Sequence, residues 1–203
     1  VLDNINLFYV AFTRAADQLH IAMDDTNSSS SVSDLLNNCI KNHDLYDNDK
    51  QEILIEESLV RSSGLLNFLG NSVQEWIHAS DKKIIKEFKI ISTWVIRQFE
   101  NEYNPIHNHN GHISGVGYLK LPKSFGKPFQ TSKEKSVNGN ISFIHGARMF
   151  NSSSILNVEP KVGDFYIFPN YLMHSVNPFY GEDERRSVSF NATIDDSIYN
   201  VYG

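Results

Sequence analysis

The apolar residues of this chain change their spacing along its length. Leu65, Leu66, Leu69, Val73, Trp76 and Ile77 fall on one stripe, which predicts an amphipathic helix over 65–77. Val32, Leu35, Leu36, Cys39 and Ile40 are spaced for a shorter helix, with Ser31 or Ser33 as its N-cap. From residue 88 onward β-branched and aromatic residues take over. Ile90, Ile91, Thr93, Trp94, Val95 and Ile96 predict a strand over 88–99. Further strands are expected over 113–121, 140–144, 163–168, 170–176 and 185–194, with a short one at 51–55. Pro169 and the turn-rich stretch 177–184 separate the last three. Residues 122–137 carry two prolines and form a long polar excursion, expected to act as a lid or specificity loop.

Glycine and proline sharpen the division. No glycine precedes Gly64, and all six prolines lie at or beyond Pro105. The front of the chain therefore reads as helical and linker-like, the rear as strands and turns. The polar run 24–31 is a flexible connector, 42–50 a loop, and the junction falls near 56–64. Two pieces are expected: an appendage and linker over 1–60, and a mainly-β domain with supporting helices over 61–203. Several short strands after a helical preface describe a sandwich or jelly roll.

Composition narrows the function classes. At 203 residues, 40% hydrophobic and 21% charged, the chain suits one moderate globular domain with an appendage. A formal charge of -6 argues against a dedicated nucleic-acid binder. The single cysteine, Cys39, forms no internal disulfide, so a reducing, cytoplasmic setting is expected. No apolar run approaches the ~18 residues of a membrane span. Residues 1–23 lack the basic start and apolar core of a secretory signal. No membrane partner is expected, and oligomeric state is left open. The first residue is Val1 rather than Met, which suggests a fragment, a processed product or a truncated reading frame.

The candidate chemistry lies just ahead of the strand at 113–121. His107, His109 and His112 fall within six positions. In an extended backbone, residues two apart share a face, so His107 and His109 form a ready pair of metal ligands, with His174 as a candidate third. Eleven residues after His174 comes Arg185. On a strand, Arg185, Ser187, Ser189 and Asn191 face one side, and Arg186, Val188 and Phe190 the other. A guanidinium is a planar fork suited to a carboxylate, and the Ser187 hydroxyl adds a bond. Trp94 reads as a core residue and His145 as a rim or surface group. His20, His43 and His78 have no partners in pattern and read as structural or solvated.

Five pieces in order, Asn104-Pro-x-His-x-His, Ser114-Gly-Val-x-Tyr-Leu, Gly139-Asn-Ile-x-Phe, Gly163-Asp-x-x-x-Phe-Pro with His174-Ser-Val, and Arg185-x-Ser-x-Ser-Phe-Asn, span about residues 90–194. Together they resemble the Fe(II)/2-oxoglutarate-dependent dioxygenase superfamily, in the branch common in marine bacteria and their phages. The resemblance implies a double-stranded β-helix (jelly roll), with Fe(II), 2-oxoglutarate and O₂ at its mouth. It makes His107, His109 and His174 the metal ligands and gives the far carboxylate of 2-oxoglutarate to Arg185 and Ser187. Tyr118 either hydrogen-bonds the co-substrate or packs in the core. The implied reaction is oxidative decarboxylation to succinate and CO₂ with hydroxylation of a substrate. This sequence departs from the superfamily at the middle ligand, ordinarily Asp or Glu and here His109, although imidazole suits iron. His112 takes its place if the loop folds back, and Arg186 replaces Arg185 if the register slips by one. A non-catalytic jelly-roll module that binds a metal or ligand is the alternative function. The substrate, small or macromolecular, is not legible.

Residues 5–23 resemble a different family, the UvrD-like superfamily-one helicases, at their last signature motif. The core is Tyr9-Val10-Ala11-Phe12-Thr13-Arg14-Ala15, followed by Leu19-His20-Ile21. There the arginine at the Arg14 position reaches the γ-phosphate of ATP. No Gly-x-x-x-x-Gly-Lys-Ser/Thr loop occurs in the chain, so Arg14 has no nucleotide to act on. The segment reads as a strand and short helix left from a helicase C-terminus.

Overall fold

The structure is a computed structural model that describes residues 11–14, 51–127, 132, 136–148, 150 and 153–200. The helix expected at 32–40, most of the helicase-like segment and part of the 122–137 excursion lie outside these residues. Of the helicase-like segment, the backbone at Ala11–Arg14 forms strand β1.

After β1 come β2 (Glu52–Leu54), helix α1 (Glu57–Ser62) and helix α2 (Leu65–Asp81). The strands that follow are β3 (Phe88–Gln98), β4 (Asn104–His107), β5 (Ile113–Lys120), β6 (Ile141–Ile144) and β7 (Ile155–Val158). The chain continues with β8 (Asp164–Pro169), β9 (Met173–Val176) and β10 (Arg185–Ile194), then the single turn α3 (Asp196–Tyr199). Two expected boundaries move. Pro169 ends β8 instead of separating strands, and the segment 170–172 is a turn closed by the Leu172 N–H donating to the Pro169 carbonyl at 3.0 Å, so β9 starts only at Met173. Helix α2 runs past Ile77 to Asp81, where Lys82 ends it in the left-handed region at φ 58°.

The strands form two antiparallel sheets, a six-stranded one in the order β1-β8-β5-β10-β3-β2 and a four-stranded one in the order β4-β9-β6-β7. From β3 to β10 the chain passes back and forth between them and gives each sheet four strands, which is the jelly roll. Helices α1 and α2 cover the outer face of the larger sheet. Val60, Leu65, Leu69 and Val73 pack there against Val95, Phe165, Val188 and Phe190, all buried. A second cluster fills the space between the sheets, with Val116, Tyr118, Phe143, Tyr166 and Phe168 at its centre. Close approach is required at Gly117, where an added Cβ would sit 2.3 Å from the Phe165 ring.

The strand pleat decides which side chains reach the site. On β10, Val188, Phe190 and Ala192 join the helix-side core. Ser187, Ser189 and Asn191 point instead into the space between the sheets. Register carries the same face across the sheet: Trp94 lies opposite Ser189, which lies opposite Val116, while Ile96, Ser187 and Tyr118 make the next row. Among the described residues no helix is long and apolar enough to cross a membrane.

Candidate active site

A cavity of about 420 Å³ opens between the two sheets. Its polar lining is uncommon for a sandwich interior: Gln98, Asn104, Tyr118, Ser187, Ser189 and Asn191, together with three histidines. The histidines converge because three local features aim them. β4 pairs with β9 in a register that sets His107 directly opposite His174. The loop after β4 then folds His109 back across the pair. One ligating nitrogen or more from each of the three rings lies within 4.8 Å of the others. His109 Nε2 lies 3.2 Å from His174 Nε2. Two imidazole nitrogens on one ion, each about 2.1 Å from it, stand roughly 3.0 Å apart at a right angle and 3.4 Å apart at a tetrahedral angle. The spacing of this pair falls in that range, so His109 and His174 fit one divalent transition ion, with a His107 nitrogen within 4.8 Å of both.

Ring orientation supports the same conclusion. His107 Nδ1 lies 2.7 Å from the Pro105 carbonyl and His174 Nδ1 lies 2.9 Å from the Leu172 carbonyl. With Nδ1–H donated to these oxygens, Nε2 carries the lone pair that a metal takes. Burial holds His109 down to about 4, with help from the nearby His107. Burial likewise holds His174 at about 4, against the opposing Leu172 carbonyl and with His107 and His109 adding to the depression. Both rings are therefore neutral, the form that ligates. His112 is elsewhere. Its Nδ1 sits 3.1 Å from both the carbonyl and the N–H of Ile194, and its ring stacks on Tyr199 at 4.0 Å. His145 and His78 do not line the cavity.

The two arginines of β10 part company. Arg186 turns to Glu184, with nitrogen–oxygen distances of 2.9 and 2.8 Å, and Arg97 reaches the same carboxylate at 2.8 Å. Arg185 is 1% exposed. It donates to the Gln98 Oε1 at 2.8 Å and to the carbonyls of Gly139 and Asn177 at 2.8 and 3.2 Å. All of these acceptors are neutral, and among the described residues Arg185 forms no ion pair. Burial pulls its guanidinium below the usual value, while the Tyr118 phenol and, after it, the Glu102 carboxylate pull the other way without forming an ion pair. Tyr118 is buried, and among the described residues its hydroxyl has no hydrogen-bond partner. Burial pushes that phenol up to about 12. The hydroxyl is thus a neutral donor awaiting an acceptor.

Two further residues matter that sequence pattern alone did not single out. Gln98 aligns the Arg185 fork by accepting from both Nε and Nη2. Its signal was its place on the same strand face as Ile96 and Trp94. Trp94, expected in the core, is 8% exposed yet lines the cavity with its ring 5.7 Å from that of His109. Core burial and site lining coincide there because the site is inside the sandwich.

A family described as "Putative 2OG-Fe(II) oxygenase" matches residues 92–191, which include the histidine cluster and the arginine strand. No curated protein matches the chain. Among solved structures, the viral collagen prolyl hydroxylase vCPH from Paramecium Bursaria Chlorella virus-1, in its 2OG complex, is 14% identical. That likeness covers 79% of this chain and 88% of that one, with a TM-score of 0.53. HygX from Streptomyces hygroscopicus, with nickel, 2-oxoglutarate and hygromycin B bound, is also 14% identical, over 85% of this chain and 84% of that one, with a TM-score of 0.50. The structural likenesses are likenesses of fold. The family model covers a little under half of the chain.

Proposed function

We propose that the chain is an Fe(II)- and 2-oxoglutarate-dependent dioxygenase that hydroxylates its substrate. The observation that carries this reading is a chamber lined by three converging imidazoles and by Gln98, Ser187 and Tyr118, with Arg185 just behind that lining, a buried cation whose hydrogen-bond acceptors are all neutral and one of which is Gln98. Buried charges are ordinarily paired, and a dicarboxylic acid that also chelates a metal supplies the missing anion. His107, His109 and His174 would hold the iron, leaving its other positions open. Arg185, Ser187 and Tyr118 would take the far carboxylate of 2-oxoglutarate. When bound, iron, 2-oxoglutarate and O₂ supply the oxidative decarboxylation to succinate and CO₂ and the oxidation of a substrate C–H bond.

The chain's own contribution is positional. Gln98 and the two carbonyls hold the guanidinium fork in one orientation, so the co-substrate meets a preset clamp. Phe143 and Phe168 pack on His174, at ring distances of 6.2 and 4.8 Å, and keep water from that side of the site. The family match over residues 92–191 supports the same reading. The test is anaerobic titration with Fe(II) and 2-oxoglutarate, followed by admission of O₂. A weak metal-to-ligand charge-transfer band and stoichiometric succinate are expected. Metal binding with neither band nor succinate would leave a non-catalytic metal-binding module.

A further inference from the structure

We propose that Asn170 is the positioning residue for the middle ligand, His109. This rests on the reading of the three histidines as metal ligands. His107 and His174 are each oriented through the ring, by Nδ1 against the carbonyl two residues earlier. His109 has no equivalent: among the described residues its Nδ1 has no hydrogen-bond partner. It also sits in a loop, where the backbone is free to rotate the ring away. A carboxylate in this position would be drawn to the cation by its net charge, whereas a neutral imidazole offers only a directional lone pair that must be aimed. Its direction has to be set by the main chain.

Asn170 sets it. The Asn170 side chain donates Nδ2–H to the His109 carbonyl at 3.1 Å. The Asn170 carbonyl accepts the His109 N–H at 3.0 Å. Both main-chain polar groups of the ligand are therefore held by one residue. Asn170 is fixed in turn. Its own N–H donates to the His112 carbonyl at 3.1 Å, and its Oδ1 accepts the Tyr199 hydroxyl at 2.9 Å. Tyr199 lies flat on His112, 10° from parallel. The C-terminal turn α3 is thereby tied through Asn170 to the ligand loop. Asn170 also begins the turn that leads into β9 and His174, so one short segment places two of the three ligands.

Co(II) titration of the full chain, followed by its d–d absorption, reads ligand number and geometry without turnover. Asn170→Ala is expected to weaken Co(II) binding by roughly 10- to 100-fold, the usual effect of losing a group that orients a ligand. Its d–d bands should move toward those of His109→Ala. In the N170A/H109A double variant, N170A should add nothing to H109A, because the lost amide grips the His109 carbonyl while alanine keeps the main-chain bonds of the turn into β9. Tyr199→Phe should shift affinity and bands in the same direction by a smaller factor, and it carries the test if N170A does not fold. Wild-type affinity and spectrum in N170A, or in Y199F where N170A fails to fold, overturn the proposal and leave the triad standing. So does an undiminished effect of N170A in the H109A background. Unchanged Co(II) binding in H109A overturns the reading of His109 as a ligand, and this proposal with it.

Discussion

Arg185 and Arg186 are consecutive on β10, yet one guanidinium meets only amide and carbonyl oxygens while the other closes on Glu184 at 2.8 Å. The pleat sends neighbours to opposite faces, and the chemistry follows the face. Arg185→Gln should therefore weaken 2-oxoglutarate binding by roughly 2–5 kcal/mol, the range for removing one partner of a buried charge pair. Arg186→Gln should leave that affinity unchanged and lower stability by up to roughly 3–5 kcal/mol, less to the extent that Arg97 still holds Glu184. Calorimetric titration with 2-oxoglutarate and urea denaturation, run on both variants, separate the two roles. Equal loss of affinity in both would contradict the assignment.

The partnerless hydroxyl of Tyr118 leads to an asymmetric expectation. A buried donor without an acceptor costs about 1–3 kcal/mol. Tyr118→Phe should thus leave the stability of the free protein unchanged or raised, while weakening 2-oxoglutarate binding by about 1 kcal/mol or more. Thermal melts with and without 2-oxoglutarate give both quantities. A destabilised free protein would mean that the hydroxyl is already satisfied.

Acid should act through the histidines. Burial, then neighbouring imidazoles, brings His109 and His174 from 6.5 down to about 4. Between those values the unfolded chain binds protons that the folded chain refuses, so stability rises with pH across the window. The metal-free protein should be fully stable above about 6.5 and weaken as pH falls toward about 4. Urea midpoints between pH 7 and 4 measure the slope, and His174→Ala should flatten it. A slope of unchanged size in H174A would place its origin elsewhere.

Gly117 has no room for a side chain. Gly117→Ala would push a methyl to 2.3 Å from the Phe165 ring, and overpacking of this kind costs typically 1–3 kcal/mol. Because Gly117 pairs with Val188 on β10, the strain enters the sheet that carries Arg185. A drop in the urea midpoint of G117A, with an unchanged denaturant slope, is the expected result.

How much of this could be read from the sequence depends on where each signal is stored. Period-two alternation is a property of the chain itself, so the sides taken by Arg185, Ser187, Ser189 and Asn191 were open to inspection before any fold was known. The jelly roll and the meeting of His107 with His109 and His174 needed ordered motifs as well, since β4 and β9 are distant in sequence. β7 was not visible because it is an edge strand, alternately exposed and half-buried, with no buried stripe to read. α1 and α3, of six and four residues, are too short to show a period. Asn170 escaped for another reason: it lies 61 residues from His109 and grips main chain, which leaves no trace in side-chain pattern.

β4 is four residues long and stands at the end of the smaller sheet, where, among the described residues, β9 is its one ladder partner. Such an outer ribbon is the part of a sandwich that frays first. An ion held at once by His107 on β4, His109 beyond it and His174 on β9 would act as a removable rivet through that ribbon, adding stability in proportion to how fully it is loaded. Metal supply would then govern how long the protein endures as well as whether it turns over, and a starved molecule would come apart first along the seam where its chemistry is done.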